Sequence, residues 1–344
     1  MKCITKLGSR KITVRKLLEK YKPDYGGYKQ VLFERAWKKF SLNPDYENIV
    51  IETEKYQCKD IMKISCSLHD KENPVTIVEA ADGFFDYSDR SDAEKEVWYL
   101  NFADKFLFGF YDSDMFGQDE IQTLEHPALA AVREWLDSKK YKGYEALTIT
   151  DRQPTPFLVR NVPWWINVNT HDYPIYGWKF GDACQKENYP LLDQAVTVRQ
   201  SDQLNNIIAM AAPACGKGTY TESQISEALT SAMAGFGGAV ENSRRNEKRT
   251  VIHSGRWGAG AFGGNEELLL AVQIIAARIA GVDHLVLHAV NEECLENASK
   301  LVAQIEETEI QKAINIVQHI HSKKYMWGLS DGNDTIRLDK EKCF

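Results

Sequence analysis

The sequence predicts an α/β fold: a sheet sandwiched between helices, preceded by a helical N-terminal region. Three observations carry this. From about residue 76 onward, short apolar stretches alternate with segments of helical periodicity, the pattern of strands and helices packed in layers. Before that point, "TVRKLLEKY" and "YKQVLFERAWKKF" place apolar residues at helical spacing with charges between them. The composition, 43% hydrophobic and 26% charged over 344 residues, is that of an ordinary water-exposed globular chain able to bury a substantial core.

Taken in order, residues 1–75 are expected to form the helical region and residues 76–344 the larger domain. "VTIVEA" (75–80) and "EVWYLNFA" (96–103) read as strands. "DEIQTLE" (119–125) and "PALAAVREWL" (127–136) read as helices, the second opened by Pro127, whose missing N–H costs nothing in a first turn. "YEALTIT" (144–150) reads as a strand and "SQISEALTSAMAGF" (223–236) as a helix. "RTVIHS" (249–254) reads as a strand. The helix "NEELLLAVQIIAARIAG" follows, with Asn265 as its N-cap and Gly281 as its stop. "HLVLHAV" (284–290) is a strand, and residues 298–321 close with helix. The stretch 163–190 has no clear period and is expected to form long loops over the sheet. No internal repeat or low-complexity tract is present.

Several function classes are disfavoured. A formal charge of −7 argues against a nucleic-acid-binding surface. The basic run Arg244, Arg245, Lys248 and Arg249 fits a solvated helix end. The seven cysteines (Cys3, Cys58, Cys66, Cys184, Cys215, Cys294, Cys343) have no C-x-x-C spacing. They predict reduced, mostly buried thiols in a cytoplasmic compartment, with neither a zinc site nor a disulfide framework. The N-terminal residues lack the apolar stretch of a signal peptide, and no window of 18 apolar residues predicts a membrane span.

The feature that calls for chemistry is "SGRWGAGAFGGN", residues 254–265: five glycines in a dozen residues. Ordered glycine costs conformational entropy, so the cluster implies a backbone brought very close to something. It lies between a strand and the start of a helix. Helix N-termini carry unpaired N–H groups and a partial positive charge, and glycines let such a backbone wrap an anion. A phosphate or diphosphate is the direct reading. Gly258, Gly260 and Gly263 form a G-x-G-x-x-G, weak evidence alone. A kinase would need further motifs that the remaining eighty or so residues lack. A Rossmann unit would need a tighter turn than Trp257 permits, and an acid at the end of the next strand, whereas Asp283 precedes it.

The loop closely resembles the diphosphate-binding loop of the poly(ADP-ribose) glycohydrolases, roughly G-N-W-G-C-G-A-F-G-G-D. Gln273 and Asp283 fall at family positions beyond it. A second anchor is "NFADKFLFGFYDSDMFGQDEIQTLEHPAL" (101–129), which resembles the family's D-F-A-N-x-F-x-G-G-G, Q-E-E and N-P-E-L elements without a gap. Phe85 and Asp86 fall on the family's adenine-contacting pair. The resemblance covers residues 76–290 in patches. It implies a macrodomain-like mixed sheet with a helical N-terminal extension. It also implies an (ADP-ribosyl)hydrolase that acts on an ADP-ribosylated protein, yields ADP-ribose as product, and uses no cofactor or metal. By the same resemblance the ligand-binding residues are Phe85, Asp86, Asp104, Gly109, Phe110, Gln118, Gly255, Trp257, Gly258, Ala259, Gly260, Ala261, Phe262 and Gly263.

The departures also matter. The family's triple glycine is Phe108-Gly109-Phe110 here, Asp119 replaces the first glutamate, and a stacking strand-end aromatic becomes Ala289. The aromatics in place of glycines and the loss of the stacking ring at Ala289 work against polymer. Mono-ADP-ribose on a side chain is expected instead, and the negative charge of Asp112 and Asp114 favours arginine before others, which would make the chain similar to the divergent arginine-directed macrodomain enzymes (the MavL type). Polymer hydrolysis and a reader without catalysis are the alternatives. Glycosidic hydrolysis needs a proton for the leaving group and a base for water. Neighbours on a helix point about 100° apart, so one carboxyl must serve as acid and then base, and the resemblance assigns that role to Glu120 beside Asp119. Burial against Phe108, Phe110 or Phe116 would keep it protonated. Asp112 and Asp114 are candidates to pair with a cationic acceptor. Phe157, Trp164 and Trp165 are stacking candidates that fit core positions better, and His253 and His288 read as core histidines.

Overall fold

The strand at residues 95–103 is buried on both faces, and the rest of the molecule is arranged around it. The computed structural model describes residues 3–59, 61, 76–199, 203–308 and 312–328. In chain order the strands are β1 (Ile4–Thr13), β2 (Val50–Cys58), β3 (Ile77–Ala81), β4 (Lys95–Ala103), β5 (Ile149–Thr150), β6 (Gln153–Pro154), β7 (Phe157–Pro163), β8 (Ile166–Val168), β9 (Val196–Val198), β10 (Leu204–Ala211), β11 (Arg249–Gly255) and β12 (His284–His288). The helices are α1 (Val14–Lys20), α2 (Gly27–Phe40), α3 (Gln118–Glu125), α4 (Pro127–Lys139), α5 (Trp178–Gln185), α6 (Tyr189–Ala195), α7 (Glu222–Arg245), α8 (Glu266–Ala280), α9 (Glu292–Glu307) and α10 (Ala313–Ser322).

Eight strands form one mixed sheet in the order β1-β2-β7-β10-β4-β11-β12-β3. The run from β10 through β4, β11 and β12 to β3 is parallel. The β1-β2-β7-β10 side is antiparallel. Side chains alternate across the pleat. On β4, Trp98 and Leu100 pack in one core layer with α7, α8, α9 and α10. Val97 and Tyr99 pack in the other with α1, α2, α3 and α4. Helices therefore cover both faces, as a parallel sheet requires.

The expected strands at 96–103, 249–254 and 284–290 and the helices at 119–125, 127–136, 223–236 and 265–281 all form, with small shifts at their ends. Asn265 caps α8 by accepting the Leu268 N–H at 3.0 Å. Gly281 ends it in the left-handed conformation, φ +75°.

Other expectations need correction. Residues 14–20 and 27–40 are helical, but β1 and β2 are strands that extend the sheet, so the first 58 residues are not simply a helical region. Their sequences, with charges at Lys6, Arg10 and Lys11 and at Glu52, Glu54 and Lys55, do not alternate regularly, and the pairing register supplies what the periodicity does not. "YEALTIT" is a strand only at Ile149–Thr150. The middle stretch contains β8, α5 and the start of α6 rather than loops alone. The final segment begins at Glu292 and forms two helices, with 309–311 outside the described residues. Position 75 of the expected first strand also lies outside them.

Among the described cysteines only Cys58 is fully buried; Cys3, Cys184, Cys215 and Cys294 are half-buried, and all five are free thiols. "Mostly buried" was therefore too strong, and Cys66 and Cys343 lie outside the described residues. No helix among the described residues is long and apolar enough to cross a membrane.

Candidate active site

Parallel strands deliver their C-terminal ends to one edge of the sheet, where α/β folds place ligands. Here Ala211 pairs with Ala103, Gly255 with His288, and His288 with Ala81. Above these ends is a cavity of about 710 Å³. Its walls bring together Phe85, Asp104, Phe110, Gln118, Asp119 and Glu120 from one side with Trp257, Gly258, Gly260, Ala261 and Phe262 from the other. Two regions more than a hundred residues apart in sequence thus share one pocket.

The acidic helix α3 starts at the cavity. Gln118 lines the cavity and is also engaged by the protein: Oε1 accepts the Phe102 N–H at 2.7 Å, and Nε2 donates one N–H to the Leu100 carbonyl at 3.0 Å. It ties the helix start to the end of β4. Asp119 accepts a bond from Asn101 Nδ2 at 2.9 Å. Glu120 turns back on its own helix, with Oε2 accepting the Gly117 N–H at 2.9 Å, half of a capping box. Gly117 has no side chain to return the bond, but a Cβ there would lie 3.0 Å from that same oxygen. Burial raises the pKa of both carboxyls, and for Asp119 the neighbouring Glu120 charge raises it further. Asp104, in the same wall, is also raised by burial and accepts the Phe106 N–H at 3.1 Å. The site therefore holds protonatable acids in a partly apolar pocket.

The glycine loop is fixed from behind. Trp257 is buried, and its indole N–H donates to the Met210 carbonyl at 3.0 Å. Gln273 Nε2 holds the Gly255 carbonyl at 3.0 Å, and Ser254 Oγ bonds Gln273 Oε1. Three of the glycines answer to the protein itself. A Cβ on Gly255 would sit 2.5 Å from the His288 carbonyl oxygen, one on Gly258 2.5 Å from Ala212 Cβ, and one on Gly264 2.5 Å from the Gly258 oxygen. Gly258 and Gly263 also have positive φ, +76° and +67°. Gly260 lines the cavity and accepts the Gly263 N–H at 2.9 Å. Gly255, Ala259 and Gly263 themselves stand behind the wall. Asp283 accepts the Thr250 N–H at 2.8 Å at the opposite end of β11, away from the loop.

Other sequence candidates are not brought to the wall. Asp112 and Asp114 are exposed on the loop before α3 and do not line the cavity. Phe108 is fully buried in the core at φ +51°, so of the two aromatics flanking Gly109 only Phe110 faces the cavity. Gly109 is outside the wall; a Cβ there would meet Phe106 Cβ at 2.6 Å. Asp86 accepts the Ser88 N–H and hydroxyl at 2.9 and 2.8 Å. Burial works to raise its pKa, but those bonds hold it below the usual range. Phe157, Trp164 and Trp165 are core residues, as expected.

The sequence reading missed several groups. Gly117 and Asn101 act on the carboxyls, yet a single glycine or asparagine carries no signal without its partner. Glu125, a helical turn and a half beyond Glu120, also lines the cavity. It accepts bonds from the Tyr87 hydroxyl at 3.0 Å and the Val168 N–H at 3.1 Å, and burial pushes its pKa up to about 8. His288 was expected in the core but lines the cavity. It is linked to buried His253 at 2.8 Å, which in turn bonds Asp89 at 3.2 Å. Burial, then the second imidazole, lowers His288 to about 4, so the ring is neutral at physiological pH. Among the described residues no group of three or more His, Cys, Asp or Glu is arranged to hold a metal.

A sheet of this order, with a braced glycine loop and buried carboxyls at the strand ends, is a macrodomain-like arrangement. Residues 171–297 match the family model described as poly(ADP-ribose) glycohydrolase (PARG), macro domain fold, so this part of the chain is similar to that family. That match contains the glycine loop and α8 but not the acidic helix α3. No curated protein matches the chain. Similar solved structures include the poly(ADP-ribose) glycohydrolase of Thermomonospora curvata, 14% identical, with 86% of this chain and 85% of that one covered and a TM-score of 0.42. The enzyme of Deinococcus radiodurans in complex with ADP-ribose is 10% identical, with 87% and 95% covered and a TM-score of 0.37. Its apo form is 12% identical, with 88% and 94% covered and a TM-score of 0.33.

Proposed function

We propose that the protein hydrolyses the glycosidic bond joining ADP-ribose to a modified protein side chain. The observation that carries this is the placement of Glu120 across one cavity from the glycine loop. The diphosphate rests on the backbone of residues 258–262, where N–H groups at the start of α8 favour an anion. The anomeric carbon then faces α3. Glu120, kept protonated by burial, gives its proton to the linking atom as the bond to the anomeric carbon breaks. The carboxylate next takes a proton from water as the water oxygen bonds that carbon, which restores the acid. Asp119, held by Asn101, orients the water or the ribose.

Arginine is the favoured acceptor. The cavity wall holds Asp104, Asp119 and Glu227 besides Glu120; burial raises their pKa, and an entering guanidinium would draw them toward the ionised form, which suits a cationic acceptor better than a second phosphate-bearing unit. This support replaces Asp112 and Asp114, which do not line the cavity. Glu120→Gln tests the reaction: ADP-ribose binding persists by calorimetry while release from modified protein falls about 10²-fold or more. Near-normal release removes Glu120 from the role. Binding without release by the wild type on arginine-linked, serine-linked and polymeric substrates makes the protein a reader. Fastest release from polymer overturns the acceptor assignment.

A further inference from the structure

Lys29, on α2 of the N-terminal segment, is 2% exposed. Lysine is almost never buried to this degree unless its ammonium is paired. Here the partners are carbonyls of a single loop: Nζ donates to Tyr111 at 3.2 Å, Ser113 at 2.6 Å and Met115 at 2.8 Å. An ammonium has three protons, and this loop takes all of them. The same ammonium lies 5.4 Å from the Phe116 ring centroid and 5.8 Å from that of Phe180, and these two rings stack at 4.3 Å. The loop ends at Gly117, whose N–H holds Glu120. Phe116 and Gly177 exchange backbone bonds at 3.1 and 2.8 Å, which closes the other side.

We propose that Lys29 is a positioning residue for the reaction: it fixes the 111–115 loop so that Gly117 presents its N–H to Glu120, and it sets a buried positive charge within electrostatic reach of that carboxyl. The proposal rests on the hydrolase reading above. Its chemical content is specific. When Glu120 gives up its proton, a carboxylate forms in a pocket poor in water. A fixed ammonium nearby stabilises that carboxylate with no reorganisation at the moment of reaction. The titratable groups whose charges reach Lys29 are Glu120, Asp119 and, from the solvent side of the loop, Asp112 and Asp114, together with the Cys184 thiol. Burial lowers the lysine to about 8, against the opposing pull of these carboxylates, so the charge is present at neutral pH. The loop has lost two of the glycines of the family pattern and sits under a cation supplied from a segment outside that pattern.

The test compares wild type with Lys29→Met and Lys29→Arg, using ADP-ribose release from arginine-modified protein over pH 5–9 and ADP-ribose affinity by calorimetry. Lys29→Met is expected to lower kcat about tenfold or more, as a misplaced acid does, with ADP-ribose affinity within threefold. Without the cation Glu120 holds its proton to higher pH, so the alkaline limb of the kcat profile moves upward. Lys29→Arg keeps the charge, recovers part of kcat and leaves the limb in place. A folded Lys29→Met enzyme with wild-type kcat overturns the proposal, and so does a loss of kcat with an unmoved limb, which marks a structural role only. If Lys29→Met does not fold, Lys29→Gln, which keeps two donors but no charge, is read by the same two criteria. Absence of any release by the wild type would instead sink the hydrolase reading on which the proposal stands.

Discussion

Gly117→Ala should slow the reaction about tenfold while leaving the fold intact. The backbone at Gly117, φ −81°, suits alanine, so the main chain does not resist the change. The new methyl would lie 3.0 Å from Glu120 Oε2. Comfortable non-bonded contacts begin near 3.5 Å, so the carboxyl must retreat by about 0.5 Å, which lengthens its 2.9 Å bond to the Gly117 N–H. A misplacement of 1 Å in a reacting group costs about 10² in rate. A retreat of this size then costs about tenfold. The stability change is that of replacing a glycine N-cap by alanine, about 0.5–1 kcal/mol. Single-turnover release of ADP-ribose from modified protein measures the first quantity, and urea unfolding measures the second. Wild-type turnover in the folded variant would refute the reasoning, because it would mean that the position of Oε2 does not matter.

Two further outcomes can be checked with purified protein. Gly255→Ala places a Cβ 2.5 Å from a backbone oxygen on the neighbouring strand, which cannot swing aside; the expected cost is about 1–3 kcal/mol in urea unfolding, and an unchanged midpoint would sink the packing argument. Glu125→Gln tests a pH dependence. Glu125 is raised to about 8 by burial, so the folded state keeps a proton that the unfolded chain releases above the ordinary carboxylate range. That contribution favours folding at low pH and is lost progressively as pH rises toward 8. The amide variant should match the wild type near pH 4 and exceed it by about 1 kcal/mol or more at pH 8; equal stability at both ends would place the charge elsewhere.

The parallel half of the sheet was legible in sequence because its strands are continuous apolar runs and its helices carry explicit caps, Asn265 and Gly281 among them. The antiparallel half was not. β1 and β2 are rich in Lys, Arg and Glu, and their place depends on partners far along the chain: Glu54 lies opposite Leu158. β7 and β10 drew no expectation at all, since short apolar runs fit strand and buried helix alike. Of the residue types with a chemical signature, Asp119, Glu120, Gly258 and Gly260 line the cavity. Their supports carry no signal in sequence. Gln118, expected as a ligand contact, lines the cavity and also clamps β4. Asp112 and Asp114 looked like acceptor residues because they precede α3, but the loop's carbonyls turn toward Lys29 and its carboxylates toward solvent. Local spacing cannot report such a turn; it is decided by a cation some eighty residues earlier.

The position of β4 between β10 and β11 has a consequence for synthesis. Both neighbours come later in the chain: Trp98 pairs with Asn206 and Tyr99 with His253. At about 5–20 residues per second, β4 leaves the ribosome roughly 10–30 s before its second neighbour exists. Until β10 is made, roughly 5–20 s, an apolar strand destined for the centre of the molecule has both hydrogen-bonding edges open, and one edge stays open until β11. The β1–β2 pair, by contrast, is complete once residue 58 has been made. The nascent chain thus leaves its central apolar strand incompletely paired until β11 is made, and slowed translation between residues 103 and 249 should lower the yield of soluble protein more than slowing anywhere after β11.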